Sequence, residues 1–318
     1  MSSLDSGART IVEQCLNIQK DESVLVLNDG NDADLINTLT RFLQQNDYDY
    51  TLKEYPEPEN HGEEPPQEIA EAMKNYDVVI APTLKSLSHT EARIKACESG
   101  SRVATLPTIT KEIWNTSLQA DYKEVERITK KAYELLEDTS EVRIKTPSGT
   151  DLTLEVNIEF FHKDTGIIQE PGDFGNLPAG EADGGVVDAN GMLVTDHFPF
   201  APAGTKVEIK DAEAVSVEHV DEEVSELAEA FEEYEGAKNV AEFGFGTNPK
   251  ATLIGNVLQD EKVLGTIHVA FGDNSSYIPE EHERRQSCEI HWDTICESPT
   301  VWFDDQKVLD QGKPVFLD

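Results

Sequence analysis

Residues 23–45 read SVLVLNDGNDADLINTLTRFLQQ and give the clearest indication of how the first part of the chain folds. Its first five residues form a short apolar run of the kind found in buried strands, and residues 34–45 carry apolar side chains at helical spacing. The turn between them, Asn28 to Asp32, ends on an acidic residue suited to capping the helix. A buried strand that leads directly into an amphipathic helix predicts a parallel α/β sheet.

The same alternation continues to about residue 140. Further strands are predicted at residues 50–54, 78–81 and 102–106, and further helices at 8–18, 69–74, 90–97 and 111–136. Four strands interleaved with helices predict a Rossmann-like or flavodoxin-like domain over residues 1–140. The turn after the first strand has neither GxGxxG nor GxxxxGK[ST], so we do not predict a nucleotide site there.

A second domain, residues 141–318, is predicted from a change of pattern. Residues 141–155 alternate apolar and polar side chains around a Pro-Ser-Gly turn, which is typical of a β-hairpin. Later strands are predicted at 205–210, 252–254 and 301–303. An acidic helix is expected over residues 221–234, with Val224, Leu227 and Phe231 facing inward. Mixed elements of this kind predict an α+β domain.

The charge balance is extreme, because 63 acidic residues face 26 lysines and arginines and give a formal net charge of −37. Such a chain repels itself in dilute buffer, whereas molar salt screens the repulsion. We therefore expect a protein from a salt-loving organism, the alternative being an ordinary acidic protein. No basic stripe is present to neutralise phosphates, so nucleic acid is not expected as a partner.

The compartment is expected to be the cytoplasm. The four cysteines do not have the spacing of a zinc ribbon or a disulfide framework. The N-terminal segment has no basic region followed by an apolar one, and no apolar run approaches the length of a membrane span. We therefore expect no membrane partner.

Candidate metal ligands gather in the second domain. They are found in the segments GNLPAGE, AEFGFGTNP, LGTIHVAFGDN and EIHWD, and they are Glu181, Glu242, His268, His291 and Asp293. Glycine next to an acidic residue lets the backbone turn sharply and approach a ligand. Residues two apart in a strand share a face, so His291 and Asp293 can bind one ion together. Two imidazoles with three carboxylates suit one or two divalent ions of zinc, manganese, cobalt or iron.

The blocks NLPAGE, EFGFGTNPKA, DEKVLGTIHVAFGDN and IHWD, in this order and spacing, resemble the leucyl aminopeptidase T group of metallopeptidases. The resemblance covers about residues 175–310. It implies a homodimer and two metal ions held by the five residues above together with a tyrosine. Ser275 stands where the family has its tyrosine, and Tyr277 follows two residues later.

The resemblance implies an aminopeptidase that removes N-terminal residues from peptides with a metal-activated water. Either Glu181 or Glu242 is the candidate general base. The rival interpretation uses His268, His291 and Asp293 alone as the facial triad of a mononuclear non-haem Fe(II) ring-cleaving dioxygenase, similar to the 2,5-dihydroxypyridine dioxygenases. A third interpretation, a purely structural metal site, is weakened by the carboxylate-rich donor set.

Overall fold

The computed structural model describes residues 3–220 and 225–317. Sixteen strands and eight α-helices are numbered here in chain order. The strands are β1 Ser23–Asn28, β2 Asp49–Glu54, β3 Val78–Ala81, β4 Arg102–Thr105, β5 Glu141–Lys145, β6 Asp151–Asp164, β7 Phe174–Asn176, β8 Glu181–Val194, β9 Lys206–Lys210, β10 Glu213–Glu218, β11 Val240–Gly246, β12 Ile267–Gly272, β13 His291–Cys296, β14 Thr300–Phe303, β15 Gln306–Asp310 and β16 Lys313–Pro314. The helices are α1 Ser3–Arg9, α2 Ala33–Gln45, α3 Gln67–Met73, α4 Glu91–Glu98, α5 Lys111–Asn115, α6 Tyr122–Leu136, α7 Glu226–Glu233 and α8 Val257–Asp260.

The chain forms two compact units. The first consists of the described parts of Met1–Glu126, Asp164–Ala179 and Pro249–Thr252, and the second of Arg127–Lys163, Gly180–Asn248 and Leu253–Asp318. The sequence suggested one boundary near residue 140, whereas the chain passes between the units several times. The physical reason is visible in β7, which lies far along the chain but pairs in parallel with β4 of the first unit.

The first unit is built on a five-stranded parallel sheet in the order β2-β1-β3-β4-β7. This is the strand order of flavodoxin-like sheets, so the predicted α/β class is confirmed. Apolar residues of the central strands, such as Leu25, Val79 and Val103, are fully buried. Asp32 caps α2 by accepting a hydrogen bond from the backbone N–H of Asp34, as the turn sequence predicted.

Local predictions failed at two places. The helix predicted at residues 8–18 is α1 followed by a π-helical segment, Thr10–Cys15. The strand predicted at 252–254 does not form, because the Asp260 carboxylate accepts hydrogen bonds from the backbone N–H groups of Ile254 and Gly255, at 2.8 Å each. In the acidic helix, Leu227 and Phe231 are buried as expected, while Val224 lies outside the described residues. No helix in the described part of the chain is long and apolar enough to cross a bilayer.

The second unit contains a large sheet, and β13, β12, β11 and β8 are neighbours in it, all antiparallel. The hairpin predicted at residues 141–155 is present as β5 and β6. Side chains in β11 alternate between two environments. Phe243 and Phe245 enter the apolar core, and Glu242 lies on the opposite face. Trp292 of β13 stacks on Phe200, with ring centroids 3.7 Å apart, so it points away from the Glu242 face.

Candidate metal centre

The register of the four adjacent strands brings the five predicted ligands to one face of the sheet. Ala270 of β12 pairs with Glu242 on one side and with Asp293 on the other. His268, two residues before Ala270, pairs with Gly244 of β11. Because paired residues and residues two apart share a face, the donors alternate with small residues across the sheet. The small residues leave room for the longer donor side chains.

Gly244 shows why the segment between Glu242 and Gly246 is rich in glycine. A Cβ atom at Gly244 would lie 2.0 Å from the Cε1 and Nε2 atoms of the His268 ring. Any other residue would therefore push this ring away from its place beside Glu242. Gly185 of β8 plays a similar part, because its Cβ would collide with Tyr277 and Ile278.

The structure brings all five predicted residues into one cluster with Glu242 at its centre. Glu242 Oε1 lies 3.1 Å from His268 Nε2, and Glu242 Oε2 lies 2.7 Å from His291 Nε2. Each imidazole has a second carboxylate beside it. Glu181 Oε2 is 3.7 Å from His268 Nε2, and Asp293 Oδ1 is 3.6 Å from His291 Nε2. The cluster therefore has two sides that share one carboxylate.

We call Glu181 and His268 the inner side, and His291 and Asp293 the outer side. The His268 side chain is 1% exposed, whereas the His291 side chain is 32% exposed. On the outer side, one atom from each of Glu242, His291 and Asp293 lies within 4.8 Å of the others. These three residues can hold a metal ion without rearrangement of the backbone.

Sequence reasoning missed Lys262, which is buried beside the inner side. Its Nζ atom is 2.7 Å from Glu181 Oε1 and also contacts Glu261. A fully buried lysine is uncommon unless its charge is paired, and this one touches two carboxylates. The only signal in the sequence was its place in the block DEKVLGTIHVAFGDN, a few residues before His268.

Asp183 was also missed, although strand alternation could have identified it. It follows Glu181 by two residues in β8, pairs with Gly244 and is buried. Tyr277 lies near the outer side, with its ring centroid 6.4 Å from that of His291 and 5.5 Å from that of His162. Ser275 does not replace the tyrosine, because its hydroxyl donates to Asp273 Oδ1 at 2.8 Å.

Opposite charges link the side chains of the cluster. Burial disfavours the ionised form of Glu242, but hydrogen bonds from His268 and His291 outweigh it and lower the pKa of Glu242. Burial likewise opposes the charged form of His268, yet its hydrogen bond to Glu242 raises the pKa of His268 to about 10. Burial and the carboxylates around it raise the pKa of Tyr277 well above its usual value. Protonated imidazoles thus neutralise the acids where a metal would otherwise do so.

The residues present fit a divalent metal. Within the described ranges, 3–220 and 225–317, three buried atoms of the cluster have no hydrogen-bond partner: Glu181 Oε2, His268 Nδ1 and Asp293 Oδ1. Buried carboxylate oxygens are costly to leave unpaired, and a cation would satisfy them. Imidazole nitrogen with carboxylate oxygen is a donor set for zinc, manganese, cobalt or iron.

Two solved structures share the fold of this chain. The structure of a 2,5-dihydroxypyridine dioxygenase from Pseudomonas putida KT2440 matches with a TM-score of 0.79 and 16% identity, covering 99% of this chain and 98% of that chain. Wild-type AmpT from Thermus thermophilus matches with a TM-score of 0.71 and 17% identity, covering 98% of this chain and 99% of that chain. At these identities the two likenesses show a shared fold alone. A search of curated protein sequences gives no match.

A protein-family model, NicX: 2,5-dihydroxypyridine 5,6-dioxygenase, matches residues 8–316 of this chain. The resemblance to the leucyl aminopeptidase T group is supported only by the likeness in fold to AmpT. The family model matches the family of the rival interpretation in the sequence analysis, the 2,5-dihydroxypyridine dioxygenases. Because the match covers almost the whole chain, this protein belongs to the NicX 2,5-dihydroxypyridine 5,6-dioxygenase family.

Proposed function

We propose that the protein is a metal-dependent hydrolase of the aminopeptidase type, which removes N-terminal residues from peptides. One observation carries the proposal: Glu242 presents one oxygen to His268 and the other to His291, and each imidazole has its own second carboxylate. Two donor groups that share a bridging carboxylate are what a pair of divalent ions needs.

The number of donors also favours this activity over a single-ion oxygenase. A facial triad uses two histidines and one carboxylate, which here are His268, His291 and Asp293. Glu181 and Glu242 would then be two extra buried carboxylates in the same cluster. Lys262 already pairs with Glu181, so this argument from charge rests on Glu242, whose two oxygens each face an imidazole.

The chain's own residues have distinct parts in the proposed reaction. Bound divalent ions would lower the pKa of a water and polarise the scissile carbonyl. Lys262 holds Glu181 by Oε1, so Oε2, which faces His268, is the oxygen that would either bind an ion or accept a proton, but not both at once. Glu242 is the alternative acceptor, although its two contacts to imidazoles lower its basicity. Tyr277 and His162 lie on the exposed side of the cluster, where a substrate side chain would approach.

A second candidate, a mononuclear non-haem iron dioxygenase that cleaves a dihydroxylated aromatic ring, has specific support. The family model matches nearly the whole chain. In addition, Lys262 already pairs with Glu181, and Ser275 stands where a two-metal aminopeptidase has a tyrosine ligand. The triad would bind one ion, and Glu181 would have no direct part in the chemistry.

Metal quantification on protein purified in molar salt separates the two activities, together with assays of leucine p-nitroanilide hydrolysis and of oxygen uptake with dihydroxylated aromatics. About two zinc, manganese or cobalt ions with amide cleavage are expected for the hydrolase. Glu181→Gln should then abolish cleavage, while the exposed control Glu232→Gln should not. About one iron with oxygen uptake that survives Glu181→Gln would overturn the proposal in favour of the dioxygenase.

We also propose a setting for this activity. The net charge of −37 supports a protein that works in molar salt and has no nucleic-acid partner. All four cysteines are free thiols, which supports a reducing compartment such as the cytoplasm. A homodimer is carried over from the resemblance to the aminopeptidase T group. Light scattering on the purified protein tests the dimer, and thermal unfolding between low and molar salt tests the salt requirement.

A further inference from the structure

The segment between β12 and β13, residues 273–290, forms a loop whose base is fixed by Asp273, and we call it the β12–β13 loop. The Asp273 carboxylate accepts hydrogen bonds from the N–H and the hydroxyl of Ser275, at 3.0 and 2.8 Å, and from the N–H of Cys288 at 3.0 Å. The carbonyl oxygen of Asp273 lies 2.7 Å from His291 Nδ1 and accepts its proton. The two ends of the loop are therefore tied together and to the ring of a predicted metal ligand.

Asn274 fixes the interior of the loop. Its side chain is fully buried and joins the two halves of the loop. Nδ2 donates to the carbonyl oxygen of Arg284 at 2.8 Å, and Oδ1 accepts from the N–H of Gln286 at 2.6 Å. The carbonyl oxygen of Asn274 accepts from the N–H of Tyr277 at 3.0 Å. A buried amide with these bonds made holds the backbone at Tyr277 in one position.

Arg285 holds the backbone on both sides of Tyr277. Its Nη1 atom donates to the carbonyl oxygen of Ser275 at 2.6 Å and also to the carbonyl oxygen of Ile278. Hydrogen bonds from a charged guanidinium are stronger than those between neutral groups. Because the two carbonyl groups flank Tyr277 in the chain, the guanidinium restricts the turn from which the tyrosine side chain projects.

Tyr277 is thereby held against the sheet near the outer side of the cluster. A Cβ atom at Gly185 would lie 3.0 Å from the Cβ of Tyr277, and Gly185 pairs with Glu242 of the neighbouring strand. The ring centroid of Tyr277 is 6.4 Å from that of His291. In the part of the chain that the structure describes, the Tyr277 hydroxyl makes no hydrogen bond. Packing of the ring against the sheet does not need the hydroxyl, so this donor is available to a bound molecule.

From this placement we infer that the Tyr277 hydroxyl donates a hydrogen bond to an oxygen atom of the substrate at the outer side, and that Asn274 and Arg285 are positioning residues for it. Negative charge develops on a substrate oxygen that binds a divalent ion, and a donor fixed in advance stabilises this charge. The inference goes beyond the proposed function, because it requires only one ion, at the outer side. It applies to a peptide carbonyl oxygen and to a ring hydroxyl alike.

The test measures two dissociation constants on the full-length protein in molar KCl. Calorimetry measures the binding of Co²⁺, and the visible absorption of bound cobalt measures the binding of acetohydroxamic acid, whose oxygen atoms bind divalent ions. Tyr277→Phe should weaken acetohydroxamate binding by about tenfold or more, because a hydrogen bond to a charged oxygen is lost. The dissociation constant for Co²⁺ should not change. Tyr133→Phe is the control, because it removes a hydroxyl of the second unit whose ring lies beside Lys163.

The positioning residues are tested by their coupling to Tyr277. Arg285→Met should weaken acetohydroxamate binding and leave Co²⁺ binding unchanged, and Arg285→Lys, which keeps a donor, should restore part of the loss. Because Arg285 acts through Tyr277, the double variant Arg285→Met with Tyr277→Phe should bind acetohydroxamate no more weakly than Tyr277→Phe alone. Asn274→Ala should show the same pattern. Loss of the buried Asn274 can prevent folding, so circular dichroism selects the folded variants and the exposed Arg285 provides the main test.

Unchanged acetohydroxamate binding in Tyr277→Phe would overturn the inference. An equally large loss of Co²⁺ affinity in this variant would do so as well, because the tyrosine would then be a metal ligand. Additive losses in the double variant would show that Arg285 does not act through Tyr277. A wild-type protein that binds no Co²⁺, or that binds Co²⁺ and no acetohydroxamate, would also contradict the inference.

Discussion

The inner and outer sides of the cluster contain the same kinds of donor but differ in their surroundings. Each has one imidazole and one carboxylate, and both share Glu242. The inner side is buried and has Lys262 on its carboxylate, whereas the outer side is partly open and has no lysine or arginine on Asp293 among the described residues. The comparison teaches that donor identity alone does not fix metal affinity. Neighbouring charge and solvent access also affect how strongly an imidazole and a carboxylate attract an ion.

The largest effect is expected from Glu242→Gln, because Glu242 belongs to both sides. Loss of its charge should weaken both binding events by more than about 100-fold each, since even residues that only support a ligand contribute about 10- to 100-fold. Calorimetric titration with Co²⁺ measures both constants. If only one of the two events weakened, Glu242 would not be shared in the metal-bound protein.

Asp293→Asn should affect the outer side alone. The change removes a charged ligand next to His291, so binding at the outer side should weaken by more than about 100-fold while binding at the inner side remains. The same titration checks this result, with Asp310→Asn as an exposed control. Equal weakening of both events would contradict the division of the cluster into two sides.

Gly244→Ala should affect the inner side alone. Its Cβ would lie 2.0 Å from the His268 ring, so the ring must move while the backbone of the strand remains. We expect binding at the inner side to weaken by about 10- to 100-fold, as for other changes that misplace a ligand. A crystal structure of the variant would show the displaced ring. Unchanged binding would mean that His268 is not a ligand.

The effect that is smallest per step concerns pH, because one pH unit changes the apparent affinity by at most about tenfold. Because the pKa of His268 is raised to about 10 in the metal-free fold, the His268–Glu242 pair stabilises that fold fully below about pH 6.5, and this contribution is lost as the pH rises to about 10. A metal ion must displace the proton of the His268 imidazole in order to bind there. The apparent affinity for the ion should therefore rise by at most about tenfold per pH unit between pH 6.5 and about 10. Thermal unfolding with and without chelator, from pH 6.5 to 10, measures both trends. A flat profile would place the His268 pKa near its ordinary value.

Much of the site could be predicted because its ligands lie in strands with clear alternation. Glu242 and Phe243 show the pattern, since one faces the cluster and the next enters the core. Glycines mark the places where a ring or a loop approaches the backbone, as Gly244 shows. The role of these residues as metal ligands remains a prediction until ions are measured.

Other features could not be predicted, because they depend on partners that are distant in sequence. The strand expected at residues 252–254 is replaced by a loop whose N–H groups bind Asp260. The segment 164–179 belongs to the first unit only because β7 finds an edge of its parallel sheet. The local sequence pattern cannot predict either interaction. A strand or a loop is stabilised by the partners of its backbone hydrogen bonds, and here those partners lie in other segments of the chain.

The class of the fold and the list of candidate donors could both be read from the chain, because hydrophobic periodicity and side-chain chemistry are local properties. The tertiary structure alone decided that Glu242 lies between the two imidazoles and that a buried lysine occupies one side. Strand register sets the first arrangement, and the packing of a loop before β12 sets the second. Both arise from contacts between segments far apart in the chain, which no local pattern encodes.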